Sequence, residues 1–321
     1  MENIKLSICC VTYNHEKYLK EALDGILMQK VNFDYEVIIS DDCSTDNSQK
    51  IIEEYVPLFG DKITVFLGEK NIGANKNYDR VQLCSKGEYA IVLETDDKWT
   101  DPYKLQKQVD YLDAHPDVIA VAHRCTVINN MSKPQRIMYP ECKKKKYTLR
   151  QFRKWIMPGQ TATIMYRNYH CNNIGVDSCF ISRCSELGPG DRAKVFALLS
   201  QGKIYCIPEV MSEYRLVTNE GSSFSATNRL KYKDYISYFK EFVQFSKNKN
   251  LPIEFSQTAK MLYLEAIDAS FFVTHEITWE EKKYYMQGID HKAKLLIYIG
   301  QHVLRVITNK IIGRITGNEY I

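Results

Sequence analysis

The stretch Tyr89-Ala90-Ile91-Val92-Leu93-Glu94-Thr95-Asp96-Asp97-Lys98-Trp99 decides how this chain is read. Its first five residues form an unbroken apolar run of strand length, the pattern of a strand buried on both faces. Three carboxylates, Glu94, Asp96 and Asp97, then follow within four positions. Clustered like charges raise one another's pKa and repel. A core strand that ends in them needs a cation or an unusual task to hold them ionised.

Outward from this strand the same punctuation repeats. Apolar runs at 6–11, 35–40, 63–67 and 118–122 predict further buried strands, and residues 18–29, 46–55, 77–84 and 103–114 carry apolar side chains at helical spacing. Strands alternating with helices of this length predict an α/β protein with a mostly parallel central sheet flanked by helices. In such sheets ligands bind beyond the carboxyl ends of the strands. The loops there read TYNHEKY (12–18), DDCSTDNS (41–48), GEKNIGANKN (68–77) and ETDDKW (94–99). Ser44 or Thr45, followed by Asp46, predicts a helix N-cap, which leaves Asp41 and Asp42 without a structural explanation. Asp96 and Asp97 are hard oxygen donors on a tight turn. They suit Mg²⁺ or Mn²⁺, which keeps waters and completes its shell on a substrate diphosphate.

Composition bounds the rest. With 321 residues, 45% hydrophobic and 26% charged, the chain can bury the core of one large domain, alone or with an appendage. A net charge of +4 is too mild for a dedicated nucleic-acid binder. Ten scattered cysteines include no C-x-x-C pair and read as free thiols of a reducing, cytoplasmic setting. The first residues show no signal-peptide core, and no apolar run reaches the roughly 18 residues of a membrane span. Beyond residue 123 the pattern loosens. A helix is expected at 149–156, a strand at 164–166, a helix from Gly190-Asp191, and helices throughout from about 228. The lysine run 143–146 is either a solvated loop or a phosphate or membrane contact. The segment KLLIYIGQHVLRVITNKIIGRITG (294–317) is either a helix packed on its parent domain or an amphipathic helix at a membrane surface.

SICCVTYNHEKYLKEALDGILMQ (7–29), YEVIISDDCSTDNS (35–48), NIGANKN (71–77) and KGEYAIVLETDDKWTDPYKLQKQVDYL (86–112) together resemble the family 2 inverting glycosyltransferases of the GT-A fold, in their bacterial capsule and polysaccharide branch. The likeness is strong over 5–125 and looser over 157–215. It implies a GT-A domain over 1–225, with nucleotide-sugar binding in 1–125 and an acceptor half in 126–225, followed by a helical C-terminal extension over 226–321. It also implies a nucleotide-sugar donor, UDP-sugar foremost, a Mn²⁺ or Mg²⁺ cofactor, and a saccharide or lipid-linked saccharide acceptor; the basic amphipathic tail fits an acceptor presented at the inner face of a membrane.

Residue by residue, the resemblance places Val11, Tyr13 and Asn14 at the nucleobase pocket and pairs Asp42 with the base imide. An aromatic ring stacks on a base and a carboxylate accepts its N–H, although Tyr13 reads equally as a ring capping the sheet. Asn71, Gly73 and Asn77 match an N-x-G-x-x-x-N loop, where glycine permits a positive φ and the following helix start faces phosphate. Lys76 and Arg80 either add charge there or are simply solvated. Thr95-Asp96-Asp97 takes the place of the D-x-D motif, with Asp97 the direct metal ligand, Asp96 beside it contacting the donor ribose or sugar, and Glu94 a third acid. Trp99 packs the turn and Lys104 opens the next helix. Asp191 is either the base that takes the acceptor proton or a helix cap. Arg215 contacts the diphosphate or pairs with Glu213, and Gln160 and Thr161 shape the acceptor site. Two other readings remain at this point. One is a nucleotidyltransferase, which needs a glycine-rich basic loop where TYNHEKY stands. The other is a non-catalytic carbohydrate-binding subunit.

Overall fold

A computed structural model describes residues 4–172, 174–217 and 231–287. The chain divides into two compact units, one made of residues 1–135, 139–178 and 197–228, the other of 136–138, 179–196 and 229–321.

The first unit holds the sheet. Strands β1 (Leu6–Thr12), β2 (Tyr35–Asp41), β3 (Ile63–Leu67) and β4 (Tyr89–Glu94) realise the expected apolar runs, with helices α1 (Leu19–Leu27), α2 (Ser48–Phe59) and α3 (Ala74–Leu83) between them. They lie in the order β3-β2-β1-β4, all parallel. β1 pairs with β2 from Leu6↔Tyr35 to Thr12↔Asp41 and with β4 from Leu6↔Tyr89 to Val11↔Glu94. Side chains alternate along these strands, and both faces are buried, as the unbroken apolar runs require. Ile8, Cys10, Ile39, Ile91 and Leu93 pack with Leu23, Ile26 and Leu105, whereas Cys9, Ile38 and Val92 pack with Val81. The chain first builds outward on one side of β1 and then returns to its other side. The crevice beyond the carboxyl ends of β1 and β4 is therefore the topological switch point.

Past β4 the sheet is mixed. It adds β5 (Lys98–Trp99), β6 (Val118–Ile128), β7 (Lys146–Tyr147), β8 (Met165–Arg167) and β9 (Lys203–Arg215), with α4 (Lys104–Ala114) and α5 (Leu149–Arg153) between them. The order continues β4-β8-β6-β9-β5, with β7 also on β9. β8 runs antiparallel to both β4 and β6, while β6 and β9 are parallel. β9 was not anticipated as a strand. Its Pro208 and its register shifts opposite β6 break the period-2 pattern that would announce it.

Two helix starts also differ from expectation. α3 begins at Ala74 rather than Asn77, because Gly73, at φ +89°, lets the chain turn into the helix earlier. At α2 neither Ser44 nor Thr45 caps the helix: Ser44 Oγ donates to Asp41, and Asp46 Oδ1 accepts the Ser48 N–H at 2.9 Å.

The second unit is helical and draws on α6 (Ser178–Ser185), α7 (Gly190–Leu199), α8 (Tyr232–Asn248), α9 (Ile253–Asp268) and α10 (Trp279–Tyr285). Its core is aromatic: Phe180 stacks on Phe245 with centroids 4.2 Å apart, and Phe196 meets Phe242 at 4.8 Å and Phe255 at 5.3 Å. Among the described residues no helix is long and apolar enough to cross a membrane. The amphipathic segment 294–317 lies outside the described residues.

Candidate active site

The acidic turn expected from the sequence sits at the switch point, where Val11 of β1 is level with Glu94 of β4 and the Thr95 N–H donates to the Val11 carbonyl at 3.1 Å. Its three acids are not equivalent. Asp97 is buried at 2% exposure, with Oδ1 accepting the Arg215 backbone N–H at 2.8 Å and Oδ2 accepting Gln160 Nε2 at 2.7 Å. Burial, then the charges of Asp96 and Glu94, push its carboxyl well above the usual carboxylate range, against the pull of Arg215. Glu94 and Asp96 are half-buried. Each Asp97 oxygen thus accepts one hydrogen bond from the protein and keeps a second lone pair. The two acids that retain exposure are Glu94 and Asp96.

Among the described residues, no three His, Cys, Asp or Glu side chains form a closed metal cage. The donor set at the turn fits a different kind of site. Two hard carboxylates suit Mg²⁺ or Mn²⁺ that keeps waters and shares a substrate's phosphates. Burial lifts Asp97 most and the charges of Asp96 and Glu94 add to it, and a divalent cation would relieve that second part.

Arg215 corrects both expectations for it. Its side chain is fully buried, with Nε donating to the Asp96 carbonyl at 2.8 Å and one terminal nitrogen donating to the Asn129 carbonyl at 2.9 Å and to Ser132 Oγ at 3.0 Å. The other terminal nitrogen reaches Glu21 at 3.2 Å, and the guanidinium lies 4.0 Å from the Tyr18 ring centroid. It is turned to protein and not to a diphosphate. Glu213 pairs instead with Lys98 at 3.1 Å. Trp99 packs the turn as expected: it is buried, its Nε1 donates to the Ala162 carbonyl at 3.0 Å, and Lys104, the first residue of α4, lies 3.9 Å over its ring.

On the nucleotide side, Asp42 is buried, with its carboxylate accepting the backbone N–H groups of Ile72 at 2.7 Å and Gly73 at 2.9 Å. In this structure Asp42 is a strut under the Asn71–Gly73 loop. Asn71 is exposed and its Oδ1 also accepts the Gly73 N–H. Asn77 is buried and exchanges hydrogen bonds with Ser40, its Oδ1 accepting from Ser40 Oγ at 2.6 Å and its Nδ2 donating to the Ser40 carbonyl at 3.0 Å. It fastens α3 to β2. Arg80 joins it by donating to Ser40 Oγ at 3.2 Å.

Asn14, at φ +56°, ties the first loop to the second, its Oδ1 accepting the Thr45 N–H at 2.8 Å and its own N–H donating to Ser44 Oγ at 2.8 Å. Val11 and Tyr13 are half-buried beside these loops. An open cleft of about 730 Å³ runs along the β3 end, lined among others by Phe66, Leu67, Lys70, Ile72 and Arg80. It combines an aromatic ring with cationic side chains.

Asp191 belongs to the second unit, in the first turn of α7, and its Oδ1 accepts the Arg192 N–H at 2.7 Å. Desolvation by the surrounding protein raises its carboxyl, opposed by the charges of Arg192 and Lys194. Gln160 and Glu21 are the site residues whose roles were missed. Gln160 was expected at the acceptor and lies against the acids, while Glu21 is an ordinary helix-surface acid until β9 brings Arg215 to it.

A parallel half-sheet carrying an acidic turn at its switch point, joined to a mixed half, defines a protein of the GT-A fold. The structure of Staphylococcus aureus TarS 1-349, solved with UDP-GlcNAc, superimposes at a TM-score of 0.59, with 18% identity, over 88% of this chain and 79% of that one. The sequence profile described as Glycosyl transferase family 2 matches residues 7–172, and the chain belongs to that family. An uncharacterized protein of Mycobacterium tuberculosis is 45% identical over 123 residues, 38% of this chain and 36% of that protein. The putative teichuronic acid biosynthesis glycosyltransferase TuaG of Bacillus subtilis is 34% identical over 111 residues, 33% of this chain and 41% of TuaG. These matches span well under half the length of either relative.

Proposed function

We propose that this chain transfers a glycosyl group from a nucleoside diphosphate sugar, foremost a UDP-sugar, to a hydroxyl of a saccharide or lipid-linked saccharide in surface polysaccharide synthesis. The observation that carries this reading is the turn after β4, with Glu94 and Asp96 half-exposed at the switch point and Asp97 pinned behind them. Family membership and relatives such as TuaG supply the reaction class.

The reaction is a single displacement with inversion. The acceptor oxygen bonds to the anomeric carbon as the bond from that carbon to the diphosphate oxygen breaks, and the nucleoside diphosphate departs with the electron pair. The acceptor proton passes to Asp191, whose raised carboxyl makes it a better proton acceptor than an ordinary aspartate. Asp96 and Asp97, with Glu94 beside them, would hold a divalent cation, which when bound would neutralise charge on the leaving diphosphate. Val11, Tyr13 and Asn14 border the base, with Asn71 and Gly73 forming the loop across from them. The 294–317 segment serves to hold the enzyme at a membrane surface.

Calorimetry with UDP and dTDP, with and without Mn²⁺, on the full chain and on Asp96→Asn, tests the donor site. Micromolar, metal-dependent UDP binding that Asp96→Asn weakens at least tenfold supports it, and binding of neither nucleotide under any metal overturns it.

A further inference from the structure

We infer that Gln160 is a positioning residue for the metal-binding acids: its amide bridges Glu94 and Asp97 from behind and sets the acidic turn without neutralising it. This rests on the donor-site reading above. The orientation of the amide is fixed by its own neighbours. Oε1 accepts the Ala162 N–H at 2.7 Å, so Nε2 is the end turned to the acids. From there it donates to Asp97 Oδ2 at 2.7 Å and reaches Glu94 Oε2 at 3.3 Å. The residue itself is 3% exposed and caps the short helical turn Thr161–Thr163, its carbonyl accepting the Thr163 N–H at 2.9 Å and Thr163 Oγ1 at 2.7 Å.

The sheet delivers this residue to the turn. β8 runs antiparallel to β4 with Tyr89 opposite Arg167 and Ile91 opposite Met165, so the approach to β8 passes alongside the carboxyl end of β4. Trp99 fastens the same segment from the other direction through its bond to the Ala162 carbonyl. The backbone of Ala162 is thereby held at both its N–H and its carbonyl, and Gln160 cannot swing away without breaking one of these bonds.

The chemistry of the amide is the second half of the argument. Cations adjoin the turn, but their ion pairs are with other acids: Lys98 pairs with Glu21 at 2.9 Å and with Glu213, and the Arg215 guanidinium pairs with Glu21. The donors that reach the Asp97 carboxylate are the Gln160 amide and a backbone N–H. A lysine or arginine in place of Gln160 would hold the acids equally well but compete with a divalent ion for their charge. A further acid would repel them. A neutral amide orients the carboxylates and leaves their charge for the ion, the task of an outer-shell partner in a metal site.

The test compares the full chain with Gln160→Met, which keeps the length and removes the donor, and Gln160→Lys, which keeps a donor and adds charge. Mn²⁺ affinity is read by calorimetry on the UDP-saturated protein, and UDP affinity is read separately without metal. The expected result is Mn²⁺ binding weakened about 10-fold in Gln160→Met and about 100-fold in Gln160→Lys, with metal-free UDP affinity within about twofold of the parent in both. Mn²⁺ affinity unchanged in both variants overturns the inference while leaving the donor site standing. An equal loss of Mn²⁺ and metal-free UDP affinity also overturns it, since Gln160 would then only support the fold. A parent chain that binds neither UDP nor Mn²⁺ overturns the donor-site reading and this inference together.

Discussion

The backbone N–H of Arg215 donates to Asp97 Oδ1 at 2.8 Å, across a sequence separation of 118 residues. The same residue's Nε donates to the carbonyl of Asp96. The last residue of β9 thus holds two successive residues of the turn after β4, one through its main chain and one through its side chain. This determines which aspartate turns inward and which is left toward the crevice.

Arg215→Met should cost about 3 kcal/mol or more, because it removes a buried cation and strips donors from the Asp96 and Asn129 carbonyls and from Ser132. Glu21→Gln, at the half-exposed end of the same network, should cost under about 1 kcal/mol. Urea unfolding of both variants checks the ratio. Equal costs would mean that the guanidinium is not the centre of the network.

Asp97 gives a pH dependence with a definite sign. Its folded-state pKa is raised, chiefly by burial and then by Asp96 and Glu94. Between the unfolded value near 3.9 and that raised value, the folded chain binds the proton more readily than the unfolded one, so stability falls as pH rises through this window. In metal-free buffer, chemical denaturation should show this decline from about pH 4 upward, and saturating Mn²⁺ should flatten it. A decline that Mn²⁺ leaves intact would argue against cation binding at the turn.

At Gly73 the cost of a side chain is conformational, since a Cβ there would meet nothing within 4 Å while φ is +89°. Gly73→Ala should therefore destabilise by about 1–3 kcal/mol through backbone strain alone. Asp42→Ala, which releases the N–H groups of Ile72 and Gly73, should weaken UDP binding with the acidic turn left intact. Proton exchange at those two amides, compared in the parent and in Asp42→Ala, would show whether the strut is what orders the loop.

The first half of this fold was legible because it is local: β1 to β4 are apolar runs bounded by polar loops, and each strand finds its partner within the same 90 residues. The second half is assembled from distant pieces. β8 inserts antiparallel between β4 and β6, and β9 pairs with β6, β5 and β7 through a bulged strand that contains a proline. The site follows the same division. That acids gather after β4 is written in residues 94–97, but adjacent aspartates look alike in sequence. Only the bonds from Arg215 and Gln160 distinguish Asp97, which is buried, from Asp96, which is not. Asp42 and Asn77 were legible as unusual polar residues, but not the loop and helix that their hydrogen bonds fasten.

The two readings of Asp191 separate by substitution. Asparagine can accept the Arg192 N–H in the first turn as aspartate does, but cannot take the acceptor proton near neutrality. If Asp191 is the base, Asp191→Asn should lower kcat about 10²- to 10⁴-fold with UDP affinity and thermal midpoint unchanged, and Asp191→Glu should recover part of the rate. If it only serves the first turn of α7, Asp191→Asn should be active and Asp191→Ala should lose about 0.3–1 kcal/mol of stability. The pH profile adds an independent check. The ionised carboxylate is the active form, so kcat/KM should rise with pH through an apparent pKa above the ordinary aspartate value, because desolvation raises this carboxyl despite Arg192 and Lys194. The rising limb should vanish in Asp191→Asn. An unshifted limb that survives the substitution would assign the proton transfer to another group.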